Sequence, residues 1–384
     1  MALKTPSLLA SGRVTNDARF NVVVVGAGPA GSFCAKALAA SGAKVLLVER
    51  AAFGRDKVCG EGLMPRGKAA LARAGLSSLV DNAPAFEGIA MHAAGKTFVG
   101  RFSTGAGCGV RRTALDAALA EAASKAGAEV RFQSTVRSLD LLRAPSRAGC
   151  VVETDGGRVL ADVVVLADGG RSRLQRAFAR RQRNRNGDGR VGVVAHAQTG
   201  LRSNLVHAHL GKGWQVVLTP VPGGLLSVAA LVEKWRAAEL KAGVTNWLLA
   251  RLRDLEIEVD EIGEAHAVPL VGGVKTKDIA QDGLILLGDA AGAVDPIVGC
   301  GISLACESAE RAAAAILRAL DHGGPRASAF RDYARHKRQV LRAPRAAARF
   351  ALFAGRNSLV ERSAAQLMQH VPRVFETMVS MIGD

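Results

Sequence analysis

The stretch from Asn21 to Glu49 constrains this chain more than any other. Asn21–Val25 is an unbroken apolar run ending at Gly26, the pattern of a strand buried on both faces. Gly26-Ala27-Gly28-Pro29-Ala30-Gly31 follows, then an Ala-rich segment with helical spacing over Ala30–Ser41, stopped by Gly42, then a second apolar run over Lys44–Val48. Strand, glycine turn, helix and strand within about thirty residues make one βαβ unit. That unit commits the N-terminal region to a parallel sheet covered by helices.

The glycines have the spacing GxGxxG. The first permits a tight turn, the second lets the backbone approach a pyrophosphate, and the third lets helix and strand pack closely. The helix N-terminus adds free N–H groups and a positive dipole end. Glu49, followed by Arg50, closes the second strand, where an acid accepts bonds from ribose hydroxyls and disfavours a 2′-phosphate. The expected ligand is FAD or NAD, not NADP.

Two later strand ends bear on that choice. Val163–Ala167 runs into Asp168-Gly169-Gly170-Arg171-Ser172, and Leu284–Leu287 into Gly288-Asp289-Ala290-Ala291. Ligands of α/β sheets bind beyond the carboxyl ends of strands. Asp289 is placed to accept from a ribityl hydroxyl. Pro296, Gly299, Cys300, Gly301 and Ile302 open a long helix over Ile302–Leu320. Its N–H groups can face the N1/C2=O edge of a flavin and stabilise the charge of the reduced ring.

With these motifs the chain resembles, from about Asn21 to Leu320, the FAD-dependent oxidoreductases of the para-hydroxybenzoate hydroxylase-like superfamily: aromatic hydroxylases, geranylgeranyl reductases and flavin-dependent halogenases. The resemblance implies FAD as cofactor and NAD(P)H as co-substrate. It implies that Arg112, in Arg112-Thr113-Ala114-Leu115-Asp116, approaches the FAD phosphates, and that Asp168 supports both nucleotides. Lys57-Val58-Cys59-Gly60-Glu61-Gly62-Leu63 resembles the Cys-Gly loop of the reductases, which lies near the isoalloxazine. Cys59 and Gly60 are therefore cofactor-binding candidates, and Cys59 and Glu61 the catalytic ones. Gly292 stands where the hydroxylases often carry His, and Trp214, Trp235 and Trp247 match no halogenase Trp-x-Trp-x-Ile-Pro segment.

The fold class expected is α/β: a Rossmann-like FAD-binding domain from residues 21–85, 103–190 and 274–325, a mainly β substrate layer from 86–102 and 191–273, a helical C-terminal segment over 326–384, and a flexible leader over 1–20. His196, His207 and His209 fall in the β layer, where His207 and His209 alternate as on one strand face; each reads as an ordinary residue. Six scattered cysteines without a CxxC suggest reduced thiols, a cytoplasmic location and no metal site.

The net charge of +17 is concentrated in two groups: Arg171–Arg190, a candidate receiver of NAD(P)H phosphates, and Arg331–Arg349 on a helix. With 4% aromatics the chain lacks the stacking platforms of a nucleic-acid binder. The basic helix leaves two other partners open, an acidic carrier protein or an anionic membrane surface to which the protein attaches peripherally. The first functional expectation is an NAD(P)H-using FAD monooxygenase of an apolar, aromatic or polyketide-like molecule. The alternative is an FAD-dependent reductase or dehydrogenase of an unsaturated, isoprenoid-like substrate. A halogenase and a non-catalytic flavin-binding protein rank behind both.

Overall fold

The computed structural model describes residues 18–54, 56–143, 148–178, 181–183, 190–270, 274–322 and 324–384. In chain order its main elements are β1 (Ala18–Val25), α1 (Pro29–Ala40), β2 (Val45–Val48), α2 (Pro65–Arg73), β3 (Gly88–Ala93), β4 (Lys96–Arg101), α3 (Arg112–Lys125), β5 (Glu129–Arg131), β6 (Val136–Arg143), β7 (Ala148–Thr154), β8 (Gly157–Leu166), β9 (Val191–Thr199), β10 (Leu205–Gly211), β11 (Trp214–Val221), β12 (Leu225–Val232), α4 (Val244–Asp254), β13 (Leu284–Leu286), α5 (Gly301–Asp321), α6 (Arg331–Val340), α7 (Arg342–Ala354), α8 (Ser358–His370) and α9 (Pro372–Gly383).

The first sheet carries five parallel strands in the order β13-β8-β1-β2-β5, extended by the antiparallel pair β7 and β6 from one side of β8. Val22–Val24 are fully buried because α1 covers one face. The buried side of α1 is Ala35 and Ala39 beside Phe33 and Leu38, small residues that let it pack against α3 and α5. Burying Phe33 and Leu38 contributes roughly 2–3 kcal/mol each.

Two expectations change here. The strand β1 begins at Ala18, paired with Val159, so the ladder reaches into the expected leader; residues 1–17 lie outside the described residues. The buried run expected at Val163–Ala167 is the second half of a longer strand, β8. Residues 157–161 pair with β7 and 159–166 with β1, so its sequence changes from half-buried alternation to full burial midway.

The second sheet is the β layer, in the order Val259–Ile262, β9, β12, β11, β10, β3, β4. Among the described residues of this sheet, β10 and β3 are the pair in parallel, because the chain leaves after β4 and returns at Val191. One face packs Val193, Ala195, Val216, Leu218 and Val228 against Trp247, Leu248 and Leu252 of α4. The other face turns toward the first sheet.

The C-terminal segment is not a separate appendage. Phe330, Tyr333 and Ala334 join the core under the first sheet, and the Tyr333 hydroxyl donates to the Leu286 carbonyl at 2.8 Å. The helix α9 sets Phe375 and Val379 on Phe98 of β4. Asp384 then accepts from the N–H and hydroxyl groups of Ser103 and Thr104. No helix among the described residues is long and apolar enough to cross a membrane.

Candidate active site

The glycine turn is built by close packing. Gly26 has φ +104°, and a Cβ there would lie 2.7 Å from the Ala167 carbonyl oxygen at the end of β8. A Cβ on Gly31 would lie 1.9 Å from the Gly26 carbonyl oxygen, so turn and helix start are pressed together. Glu49 is buried and braces this turn: one carboxylate oxygen accepts from Ala27 N–H and the other from Ala51 N–H, both at 2.9 Å.

A large cavity of about 1890 Å³ runs from this turn to the β layer. Of the site residues expected from sequence, Gly26, Gly28, Pro29, Ala30, Glu49, Arg50, Cys59, Gly60, Glu61, Arg112, Asp168, Gly288, Asp289, Pro296, Gly299, Cys300, Gly301 and Ile302 all line it. Gly31 lies behind its wall. Residues separated by up to 276 positions converge because both strand ends, after β8 and β13, point their carboxyl termini at the same crevice.

Three observations test whether FAD fits. Asp168 keeps one carboxylate oxygen buried with no hydrogen-bond partner. Burial pushes that carboxyl above the usual carboxylate range, against the pull of the Ser172 hydroxyl. A polyhydroxylated ligand offers the missing donor. Gly169 and Gly301 have nothing within 4 Å of an added Cβ, so the backbone is open to the cavity at both places. The N-terminus of α5 faces the cavity with Asp289 beside it, and at that helix start Gly299 occupies the left-handed region. The residues present fit a dinucleotide carrying a ribityl chain.

Arg112 lines the cavity with its side chain engaged inside the protein. Its guanidinium is buried and makes a two-point ion pair with Asp116 at 2.9 and 2.6 Å, one helical turn along α3. Its backbone N–H donates to Glu61 of the ring-side loop at 2.7 Å, and its side chain reaches Cys59 of the same loop.

Glu61 is the most constrained residue of that loop. It is buried, and it holds φ +58°, a conformation L-residues rarely adopt and that costs of order 1–2 kcal/mol. Its second carboxylate oxygen lies 2.7 Å from Nε2 of His196 on β9. This pair crosses from the glycine loop to the β layer. Sequence reasoning singled out both residues and had no means to join them. The Glu61 N–H donates to the Cys59 thiol sulfur at 3.4 Å.

Two further groups were not expected. Arg190 is not a phosphate receiver: it is buried in an ion pair with Asp295, itself buried, and lies 4.0 Å from Glu233. Asp295 also accepts from Ile297 N–H and so caps the turn before Gly299. Of the remaining arginines in that group, Arg171 and Arg173 line the cavity, and the side chains of Arg176, Arg180, Arg181, Arg183 and Arg185 lie outside the described residues.

Lys337 sits among the exposed arginines of α6 in sequence, yet it is buried at the cavity wall and donates to the Ser308 hydroxyl at 3.3 Å. Burial pushes its ammonium down to about 8, against the attraction of Asp289 and Glu307. A lysine lowered on folding destabilises the protein below about pH 8, and the penalty fades as pH rises toward the unfolded value. Lys337→Met is therefore expected to raise stability by up to about 3 kcal/mol at pH 7. The gap between variant and wild type should close in melts taken at rising pH; a gap independent of pH would show that the ammonium is not the cause.

Fold and cavity together define the class: this is an FAD-dependent oxidoreductase. The chain belongs to the FAD binding domain family, which matches residues 19–346. It is 32% identical over 320 residues to a menaquinone reductase of Mycolicibacterium smegmatis, covering 77% of this chain and 76% of the relative. It is 31% identical over 345 residues to a digeranylgeranylglycerophospholipid reductase of Methanothrix thermoacetophila, covering 84% of each. The fold is also that of a myxobacterial chondrochloren halogenase (TM-score 0.76, 24% identity, 88% of this chain and 84% of that one).

Proposed function

We propose that the protein is a reductase of carbon–carbon double bonds in the isoprenoid chain of a lipid, using NAD(P)H as the ultimate reductant. This places the second expectation from sequence above the first. The observation that carries it is the composition of the cavity beyond the ring-side loop. Ile89, Met91, Val206, Ala208 and Val217 of the β layer and Leu341, Ala347, Phe375, Val379 and Ile382 of the C-terminal segment all line it. Such a chamber suits a long hydrocarbon and offers few groups to orient a phenol. The names of the two reductase relatives support the same reading, since both named substrates carry isoprenoid chains.

Bound FAD supplies hydride delivery to carbon, chemistry no side chain performs. Saturating one double bond also takes a proton. Glu61, which lines the cavity, shares one with His196 between Oε2 and Nε2. Arg171 and Arg173, which line the cavity, suit the phosphates of the reductant. The exposed arginines Arg335, Arg338, Arg342 and Arg349, with exposed Phe350 and Phe353 on α7, suit an anionic lipid surface that holds the substrate.

One experiment tests the reading. Protein reduced under anaerobic conditions is mixed with vesicles containing a geranylgeranyl lipid. The flavin is expected to reoxidise, the product to gain two hydrogens per bond, and anionic vesicles to react faster than neutral ones. Glu61→Gln should slow this step by about 100-fold. A flavin that stays reduced until oxygen is admitted, with oxygen in the product, would replace this reading with the hydroxylase.

A further inference from the structure

The face of the β layer turned away from the cavity carries a cluster the reductase chemistry does not use. His207 and His209 lie on one face of β10, and the parallel register sets His209 beside His92 of β3. The His92 and His209 rings stack with centroids 4.1 Å apart, and those of His92 and His207 at 5.3 Å. One ring nitrogen from each histidine falls within 4.8 Å of the others.

We propose that His92, His207 and His209 form a binding site for a divalent transition metal of the zinc class, bridging two distant segments of the chain across β3 and β10.

The hydrogen bonds around the cluster favour a cation. Nε2 of His92 and Nδ1 of His207 lie 3.0 Å apart. Two imidazole ligands on a tetrahedral zinc ion, each at 2.0–2.1 Å, stand about 3.3 Å apart. The outer nitrogens already have hydroxyl partners: Nδ1 of His92 with Thr97 Oγ1 at 3.0 Å and Nε2 of His207 with Ser203 Oγ at 2.8 Å. Metal-binding histidines commonly donate their other N–H to such a partner, which fixes tautomer and ring direction. With both outer nitrogens donating, the inner two turn lone pairs toward each other, an arrangement a shared cation makes favourable. Imidazole sets of this kind suit zinc, copper and nickel. Three protein ligands leave a fourth position for water.

The location gives the site a structural consequence. The β3–β4 hairpin meets the rest of the layer through the β10–β3 ladder. Met91, Val206 and Ala208, on the opposite face of the same two strands, line the cavity. A metal on this face would fasten the cavity wall from behind.

The test uses FAD-loaded protein treated with EDTA, desalted, and titrated with zinc chloride against a chromophoric zinc chelator. One zinc per chain is expected with micromolar affinity or tighter, together with a rise of a few degrees in melting temperature. His92→Gln and His209→Gln should each weaken binding by roughly tenfold or more and remove the rise, while FAD content stays at the wild-type level. X-ray absorption of the zinc-loaded wild type reports imidazole nitrogens independently of any variant. Substoichiometric binding by wild type, a zinc shell without imidazole, or a triple glutamine variant that binds as wild type does would overturn the assignment.

Discussion

Gly31→Ala is expected to give a protein that is purified without its yellow colour. The added methyl would sit 1.9 Å from the Gly26 carbonyl oxygen and 3.2 Å from the Ala167 side chain. The first contact is with backbone, so no rotamer relieves it; α1 must shift away from the turn. Overpacking of this kind costs about 3 kcal/mol. The shift also carries the N–H groups of the helix start away from the pyrophosphate. Losing two such bonds costs roughly 3 kcal/mol of binding, or about 100-fold in FAD affinity. The flavin-to-protein absorbance ratio measures the outcome. Gly200→Ala, whose new Cβ meets nothing within 4 Å, is the control and should match wild type. Full FAD retention by Gly31→Ala would mean that turn and helix are not pressed together as described.

Asp295→Ala is expected to have the second large effect. It leaves the Arg190 guanidinium buried, with Glu233 at 4.0 Å as its nearest remaining acid, and strips the Ile297 N–H of its acceptor. Removing one partner of a buried pair costs about 3–5 kcal/mol, mostly from the uncompensated charge. The same loss loosens the turn that leads to Gly299 and Gly301, so FAD should also dissociate faster. Urea unfolding measures the first effect and dilution-triggered flavin release the second. Replacing both residues together, Arg190→Met with Asp295→Leu, should cost less than Asp295→Ala alone, because no lone charge is left inside. A single-variant loss below about 1 kcal/mol would place the pair in water, where ion pairs contribute that little.

How much of this was legible from the chain depends on the range of the interactions involved. The βαβ unit was legible because each of its signals is local: an apolar run, a glycine spacing, a helical period, an acid at a strand end. Asp168 and Asp289 were legible for a related reason. Each follows a buried strand directly, and the geometry of parallel sheets sends such ends to one crevice. Lys337, which falls within the basic group Arg331–Arg349, went the other way. Its neighbours in sequence are arginines on an exposed face, and helical period alone put it among them; burial against α5 is decided by packing.

The sequence by itself determined that a parallel sheet binds a dinucleotide at Gly26–Gly31, and its motif set pointed to FAD. Only the tertiary structure decided what surrounds that cofactor. Glu61 meets His196 across 135 residues, Arg190 meets Asp295 across 105, and His92 meets His207 across 115. No periodicity encodes such pairs, since their spacing is set by how two sheets and the returning C-terminal helices pack. The same packing made the last helix, legible from sequence only as part of a helical C-terminal segment, a wall of the cavity. The glycine turn states which cofactor is held; the substrate is chosen by side chains brought together only after the chain has closed on itself.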